Sequence, residues 1–263
     1  INSSRTEHME KLKNRDYYLN QLISFKDTSS IKIVTGIRRC GKSKLLDLMV
    51  NYLLSVGIKK EQIIKINFES LKFSDMTYSE VYDYIISKSY KEGKTYIFLD
   101  EPHLIDGWEK VVNSLREDID SDIYITGSNS HMLSSEYSTL LSGRYVEIKM
   151  LPLSFKEFLD FRGFTTTKEI NALGINETRC YYKDNSIYDI NDLFDAYLKY
   201  GGMPGISELP LSSDSISKYL DSIYTTVINN DILQREQSKK AKIVDPLLLK
   251  KISAFLADNI GKE

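Results

Sequence analysis

The fold is decided by the stretch Gly36-Ile37-Arg38-Arg39-Cys40-Gly41-Lys42-Ser43, which fits the pattern G-x-x-x-x-G-K-[ST]. Apolar residues alternate and then run on through 31–35, as is typical of a short strand, and apolar residues at helical spacing fill 44–54. The pattern requires this order of strand, glycine-rich loop and helix. The stretch therefore predicts a loop whose backbone wraps around a phosphate group.

This loop is a Walker A motif, and each of its residue types has a chemical reason. Gly36 and Gly41 allow successive backbone N–H groups to point at phosphates, and the following helix directs its positive end at the same place. Lys42 supplies the charge that reaches the β- and γ-phosphates, and Ser43 offers a hydroxyl to Mg²⁺. The residues that we expect to bind ATP are Gly36, Ile37, Arg38, Arg39, Cys40, Gly41, Lys42, Ser43 and Lys44.

A second motif lies at 96–101, where four apolar residues end in Asp100 and Glu101. Such a run is typical of a strand buried on both faces of a parallel sheet, and open parallel sheets bind ligands beyond the carboxyl ends of their strands. We therefore expect the two carboxylates to emerge beside the phosphate loop, which is the Walker B arrangement. Asp100 would hold Mg²⁺, and Glu101 would orient and activate the attacking water.

Two further polar residues are candidates for the site. Asn129 follows the strand pattern 123–126 and would sense the γ-phosphate or the attacking water, although a polar turn that caps the next helix explains it equally well. Arg144 precedes the strand pattern 145–149 and is a candidate arginine finger, given in trans to a neighbouring subunit, with local surface pairing as the alternative. The predicted catalytic residues are Glu101, Lys42, Asn129 and Arg144, and the predicted metal ligands are Ser43 and Asp100.

The composition limits the function classes. The 263 residues are 41% apolar and 27% charged, which is ordinary for a globular protein, and the net charge of −2 gives no basis for whole-surface binding to nucleic acid or membrane. No apolar run reaches the roughly 18 residues of a membrane span, and no signal peptide is visible. The two cysteines, Cys40 and Cys180, do not indicate a disulfide framework, so we expect a reducing cytoplasm.

Taken together, the motifs resemble an AAA+-type P-loop ATPase and, more narrowly, a prokaryotic family of predicted ATP-binding proteins related to archaeal ATPases. The matching stretches are 35–43, 98–101 with Trp108, 126–130, 141–144, 151–158 and 200–204. The resemblance implies an α/β fold, a three-layer αβα P-loop NTPase with a parallel sheet of order 5-1-4-3-2 and a smaller helical lid. It also implies a longer C-terminal part of unknown function, with winged-helix-like and nuclease-like character.

This resemblance sets the expected domain organisation. We expect the ATPase core at 1–161, a polar insertion or loop at 162–190, and at 191–263 the helical lid and the start of a C-terminal domain that continues past this chain. Family members usually have isoleucine or valine and then glutamine after the Asp-Glu pair, whereas this chain has Pro102 and His103. We interpret His103 as a polar residue at the rim of the site, with a role at the γ-phosphate as the alternative.

The expected function is Mg²⁺-dependent ATP hydrolysis, slow in isolation, that is coupled to a nucleic-acid or protein client through the C-terminal region. A homo-oligomer that donates Arg144 would complete the site, and no membrane partner is expected. The alternative is a nucleotide-regulated switch that controls a DNA- or protein-binding C-terminal module with little turnover.

Overall fold

The structure is a computed structural model that describes residues 12–128, 141, 143–170, 174, 176–211, 213–227 and 246–259. The chain forms two compact units, Ile1–Leu151 and Pro152–Glu263. This boundary differs from the one predicted after residue 161. The reason is that the helix beginning at Phe155 buries Phe158 and Leu159 in the hydrophobic core of the second unit.

The first unit is built on a five-stranded parallel sheet. Its strands are β1 Ile31–Gly36, β2 Ile63–Asn67, β3 Thr95–Asp100, β4 Ser121–Ser128 and β5 Tyr145–Met150. Their order is β2-β3-β4-β1-β5 and every adjacent pair is parallel, which confirms the predicted order 5-1-4-3-2 read from the other edge. Every residue of β1 and β3 is buried, as expected for strands covered on both faces.

Helices cover both faces of this sheet. In the described part of the first unit they are α1 Asp16–Ser24, α2 Lys42–Ser55, α3 Tyr78–Lys88 and α4 Trp108–Asp118. Side chains alternate across β3, so Ile97 and Leu99 join the core that contains α3 and α4, while Tyr96 and Phe98 join the core that contains α1 and α2. This arrangement confirms the predicted three-layer αβα fold.

Local capping explains where two helices begin. Helix α3 begins with a capping box: the backbone N–H of Glu80 donates to Thr77 Oγ1 (3.3 Å), and the N–H of Thr77 donates to Glu80 Oε2 (2.8 Å). Ser154 and Glu157 form the same device before the next helix. The helix predicted from Met132 lies almost entirely outside the described residues.

The second unit combines helices with a small antiparallel sheet. Its elements are α5 Phe155–Arg162, β6 Thr165–Ile170, β7 Asn176–Tyr181, β8 Ile187–Tyr188, α6 Ile190–Tyr200, α7 Ser213–Thr226 and α8 Pro246–Asp258. The segment predicted as a polar loop, 162–190, therefore contains three strands in the order β6-β7-β8. No side chain of β6 is buried, and its residues do not alternate between apolar and polar. The pattern that would have predicted a strand is therefore missing from this segment. Within the described ranges, every helix is too short or too polar to cross a lipid bilayer.

Candidate nucleotide-binding site

The carboxyl ends of three neighbouring strands bring the predicted site residues to one edge of the sheet. Gly36, the last residue of β1, lies opposite Ser128, the last residue of β4. Asp100 ends β3 on the other side of β4, and α2 begins at Lys42, immediately after the phosphate loop. The loop and the acidic pair are therefore close neighbours, as predicted. Asn129, which follows β4 directly, lies outside the described residues.

The loop backbone packs tightly against the end of β5. A Cβ atom on Gly36 would collide with the carbonyl oxygen of Met150 and would lie 2.8 Å from Cys40 Sγ, so a side chain has no room there. Gly41 adopts a left-handed conformation with φ 104°, which turns the chain into α2. The N–H groups at the start of α2, which have no partner within the helix, consequently face the loop and favour an anion.

Lys42 lies at the floor of the loop. Its side chain is 6% exposed, and Nζ donates to the carbonyl oxygens of Gly36 (3.2 Å) and Ile37 (3.4 Å). The same ammonium group lies 3.5 Å from Glu101 Oε1. The Lys42 ammonium group, which we expect to bind the phosphates, is thus held inside the loop and is paired with Glu101.

The two predicted metal ligands are in contact. Ser43 Oγ donates to Asp100 Oδ1 over 3.0 Å, and the hydroxyl of the buried Thr126 donates to the same carboxylate oxygen. A hydroxyl and a carboxylate are hard oxygen ligands that suit Mg²⁺, which usually keeps several waters and takes further oxygens from phosphates. The described residues hold no group of three or more His, Cys, Asp or Glu side chains that could bind a metal ion.

Glu101 is held in an unusual backbone conformation. Its φ and ψ are 55° and 48°, which a non-glycine residue adopts rarely and often at functional sites. The N–H of Glu101 donates to Thr126 Oγ1 over 3.1 Å, and its Oε2 lies 3.3 Å from His103 Nδ1. Burial raises the pKa of the Glu101 carboxyl, the charges of Asp100 and Glu69 raise it further, and Lys42 opposes the shift.

The family comparison agrees with this geometry. The family model described as "AAA domain" matches residues 28–159, which is half of the chain and takes in the phosphate loop and the acidic pair. The chain belongs to this AAA domain family. The first unit is accordingly an AAA-type ATPase domain with a P-loop nucleotide-binding fold.

Two relatives and two solved structures are similar to the chain. An uncharacterized protein of Haemophilus influenzae is 39% identical over 252 residues, which are 94% of this chain and 56% of the relative. An uncharacterized protein of Methanocaldococcus jannaschii is 30% identical over 223 residues, which are 83% of this chain and 45% of the relative. The chain thus spans about half the length of these relatives. The Walker-type ATPase of Pyrococcus abyssi aligns over 88% of this chain and 77% of its own, with 16% identity and a TM-score of 0.46. The Aeropyrum pernix ORC1 protein in complex with DNA aligns over 57% and 48%, with 18% identity and a TM-score of 0.43.

Four of the other predicted nucleotide-binding residues of the AAA domain lie on the outside of the loop, whereas Cys40 is fully buried. Ile37 is 45% exposed, and Lys44 is exposed on the first turn of α2. Arg38 lies 3.7 Å from Glu69, with both side chains partly in solvent, and Arg39 has a positive φ of 63°. These side chains surround the loop, whereas Gly36, Cys40 and Lys42 are buried within it.

Two residues of the site were missed by the sequence analysis. Thr126 connects the acidic pair, because its hydroxyl contacts both the Asp100 carboxylate and the Glu101 backbone. The signal for it was a polar side chain at the end of an otherwise apolar strand. Arg15 is 3% exposed and donates to the carbonyl oxygens of Cys40 (3.3 Å) and Leu151 (3.0 Å), which ties the phosphate loop to the end of β5. An isolated arginine before a helix gave no signal of this contact.

Arg144 lies at the opposite edge of the sheet from the phosphate loop. Its carbonyl oxygen accepts from the N–H of Ile31 at the start of β1, whereas the loop follows Gly36 at the end of that strand. The separation along the strand is roughly 17 Å, which is beyond the reach of an arginine side chain. Arg144 is exposed and lies 3.4 Å from Glu117, so it does not reach the site of its own AAA domain.

Proposed function

We propose that this AAA domain binds ATP with Mg²⁺ and hydrolyses it, slowly when the domain is alone, in order to drive a macromolecular client. The observation that carries the proposal is the mutual placement of the Walker residues. Lys42 Nζ lies 3.5 Å from the Glu101 carboxylate, and Ser43 Oγ lies 3.0 Å from the Asp100 carboxylate. In-line phosphoryl transfer to water requires a lysine that binds the phosphates, ligands for the metal ion and a base. These residues lie together at the edge of the sheet where the strands end.

Binding of the phosphates uses the loop backbone and Lys42. The N–H groups of the loop and of the first turn of α2 donate to phosphate oxygens, and the rigid packing of Gly36 on Met150 fixes their directions. Lys42 then exchanges its loop carbonyl contacts for charge-assisted hydrogen bonds to the β- and γ-phosphates. Such a site binds a triphosphate more strongly than a monophosphate.

The metal ligands are arranged before a metal arrives. Ser43 and Asp100 would hold Mg²⁺, which when bound neutralises charge on the β- and γ-phosphates. The Thr126 hydroxyl donates to Asp100 and so fixes the direction of this carboxylate. Because Thr126 also holds the Glu101 backbone, the metal ligand and the base are positioned by a single side chain.

Glu101 would act as the base that orients the attacking water. Its raised pKa makes the carboxylate a better proton acceptor near neutral pH than an exposed glutamate would be. In the structure Glu101 is paired with Lys42, and withdrawal of Lys42 toward the phosphates would release one of its oxygens for water. Nucleotide binding and activation of the base are therefore coupled through one ion pair.

The client and the assembly belong to the proposal as well. The chain spans about half of its relatives, and we place the contact with a nucleic-acid or protein client in the remaining length. Arg144 would act in trans on a neighbouring subunit, and Asn129 would sense the γ-phosphate. A cytoplasmic location is supported by Cys40 and Cys180, which are both buried free thiols.

The decisive experiment compares ATP turnover by the wild type and Glu101→Gln over a range of protein concentrations. We expect Glu101→Gln to bind ATP normally, seen as an ATP-dependent rise in Tm, and to lose about 10²–10⁴-fold in turnover, the usual contribution of a positioned base. Glu61→Gln, an exposed glutamate away from the loop, is the matched control and should leave turnover unchanged. Wild-type turnover at background at every concentration, with ATP still bound, would exclude hydrolysis and would favour the nucleotide-regulated switch.

A further inference from the structure

We propose that His103 is a positioning residue that holds the Glu101 carboxylate in its working orientation once ATP has drawn Lys42 away. The inference rests on the proposed hydrolysis. It assigns a role to the histidine two positions after Glu101, and it replaces the interpretation of His103 as a polar residue at the rim. The His103 side chain is only 11% exposed, so it lies inside the site.

The Glu101 carboxylate is shared between two nitrogen atoms. Its Oε1 lies 3.5 Å from Lys42 Nζ, and its Oε2 lies 3.3 Å from His103 Nδ1. The first contact comes from a residue at the end of the phosphate loop and the second from the turn after β3. If Lys42 moves to the phosphates, His103 keeps its contact, because nothing in that exchange involves the turn.

The backbone gives His103 a fixed position relative to Glu101. Residues Pro102–Leu104 form a 3-10 turn, with the buried Pro102 at its first position. The turn is closed by the N–H of Leu104, which donates to the Glu101 carbonyl (3.2 Å), and by the N–H of Ile105, which donates to the Pro102 carbonyl (3.0 Å). The turn and the left-handed backbone of Glu101 together bring two side chains that are two positions apart onto each other.

The chemistry requires only a donor at Nδ1. Nδ1 and Oε2 lie 3.3 Å apart but are not aligned as a hydrogen bond in the structure, so the anchor forms on a small reorientation of the imidazole or the carboxylate. A neutral imidazole with its proton on Nδ1 can donate to a carboxylate, so this step needs no change of protonation during turnover. A carboxylate with one oxygen anchored presents the other oxygen to water in a defined direction. Because misplacing a catalytic group by about 1 Å can reduce turnover 10²-fold, loss of this anchor should affect kcat and leave ATP binding intact.

Two substitutions separate the donor from the bulk of the side chain. His103→Asn places an amide nitrogen close to where Nδ1 lies, whereas His103→Leu keeps the volume and removes the donor. Leu104→Ala, at a 54% exposed neighbour on the same turn, is the matched control. We expect His103→Leu to lower kcat by about 10–100-fold with KM for ATP and Tm little changed, and His103→Asn to keep most of the wild-type kcat.

The outcomes are distinguishable from failure of the proposed function. Wild-type turnover at background would refute hydrolysis itself, and measurable turnover that is equal in the wild type and Glu101→Gln would refute the role of Glu101 as the base. If the wild type turns over ATP much faster than Glu101→Gln, two results would refute the positioning role alone. One is an unchanged kcat in His103→Leu, and the other is an equal loss of kcat in His103→Asn and His103→Leu. A double-mutant cycle of unfolding free energies with Glu101→Gln and His103→Leu tests the contact without turnover, and additive effects would overturn it.

Discussion

At the scale of single residues, Lys42 has two sets of partners in the proposed mechanism. In the structure its ammonium group contacts the loop carbonyls and the Glu101 carboxylate, which keeps a buried charge paired. The proposed phosphate contacts would use the same group. A substitution at Lys42 is therefore expected to change both ATP binding and the stability of the domain, and the two effects have to be separated.

We predict that Lys42→Ala weakens ATP binding by about 10–100-fold, the equivalent of losing charge-assisted hydrogen bonds to the phosphates. It should also destabilise the empty domain, because Glu101 loses the cation that opposes its raised pKa. Titration calorimetry measures the affinity, and thermal unfolding measures the stability. The double variant Lys42→Ala/Glu101→Gln should regain stability without regaining ATP binding.

The matched control for this prediction is Lys88→Ala, which removes an exposed lysine at the end of α3. It should change neither measurement. Unaltered ATP affinity in Lys42→Ala would show that the lysine does not reach the phosphates.

Individual site residues were predictable only where local order decides their place. Lys42 and Ser43 follow β1 after the short phosphate loop, and Asp100 and Glu101 lie at the end of β3. Parallel strands bring their carboxyl ends together, so spacing along the chain was enough to place these residues near one another. Thr126 and Arg15 act through contacts between segments that are 25 or more residues apart. No local pattern encodes such a contact, because it depends on which strands become neighbours.

At the scale of elements, a buried polar network joins β1 and β4 at the edge of the sheet opposite the nucleotide site. The side chains of Lys32 and Asp122 are fully buried and form an ion pair. Asp122 also accepts from the hydroxyl of Tyr124 (2.9 Å) and from the backbone N–H of Asp27 (2.9 Å). Burial lowers the pKa of Lys32, and Asp122 opposes that shift. Each charge therefore depends on the other.

We predict that Lys32→Met lowers the unfolding free energy by about 3–5 kcal/mol, because it leaves the Asp122 charge buried without its cation. Urea denaturation measures the change. The double variant Lys32→Met/Asp122→Asn should recover part of the loss, since an amide needs no cation.

The comparison pair is Lys65 on β2 and Asp47 on α2, with each side chain about one-third exposed. Lys65→Met should lower the unfolding free energy by no more than about 1 kcal/mol, as is usual for an exposed pair. Similar losses in the two lysine variants would show that burial does not govern the Lys32 pair.

The elements of the second unit show where sequence patterns fail. Strand β6 exposes nearly all of its side chains and pairs with β7 through backbone hydrogen bonds, with Thr167 opposite Arg179. Periodicity detects a strand by its buried face, and this strand has none. The helices α5 and α6 were predictable because each carries an apolar stripe, with Phe158 and Leu193 buried in the core.

At the scale of the whole molecule, the position of Arg144 bears on the proposed assembly of the AAA domain. Arg144 immediately precedes β5, at the edge of the sheet where strands begin, and is out of reach of the phosphate loop of its own domain, so the proposed role in hydrolysis requires a second subunit. The sequence predicted that Arg144 precedes a strand, but it did not predict in which nucleotide-binding site the arginine would act. Because β5 pairs with β1 in parallel, Arg144 lies far from the phosphate loop of its own domain.

We predict that Arg144→Ala and Glu101→Gln, each with low turnover alone, restore turnover when mixed. A mixed assembly contains interfaces in which an intact Glu101 site from one subunit receives Arg144 from the other, so activity should rise with total concentration and peak near equal amounts. An arginine finger contributes about 10³–10⁵-fold to turnover, so even a minority of complete sites would be detected. Glu117→Ala removes the local partner of Arg144 and should leave turnover intact, since it frees the arginine to act in trans. If mixing gives only the average of the two separate rates, while Arg144→Ala alone retains wild-type turnover, the arginine serves the surface pair with Glu117 and the trans site does not exist.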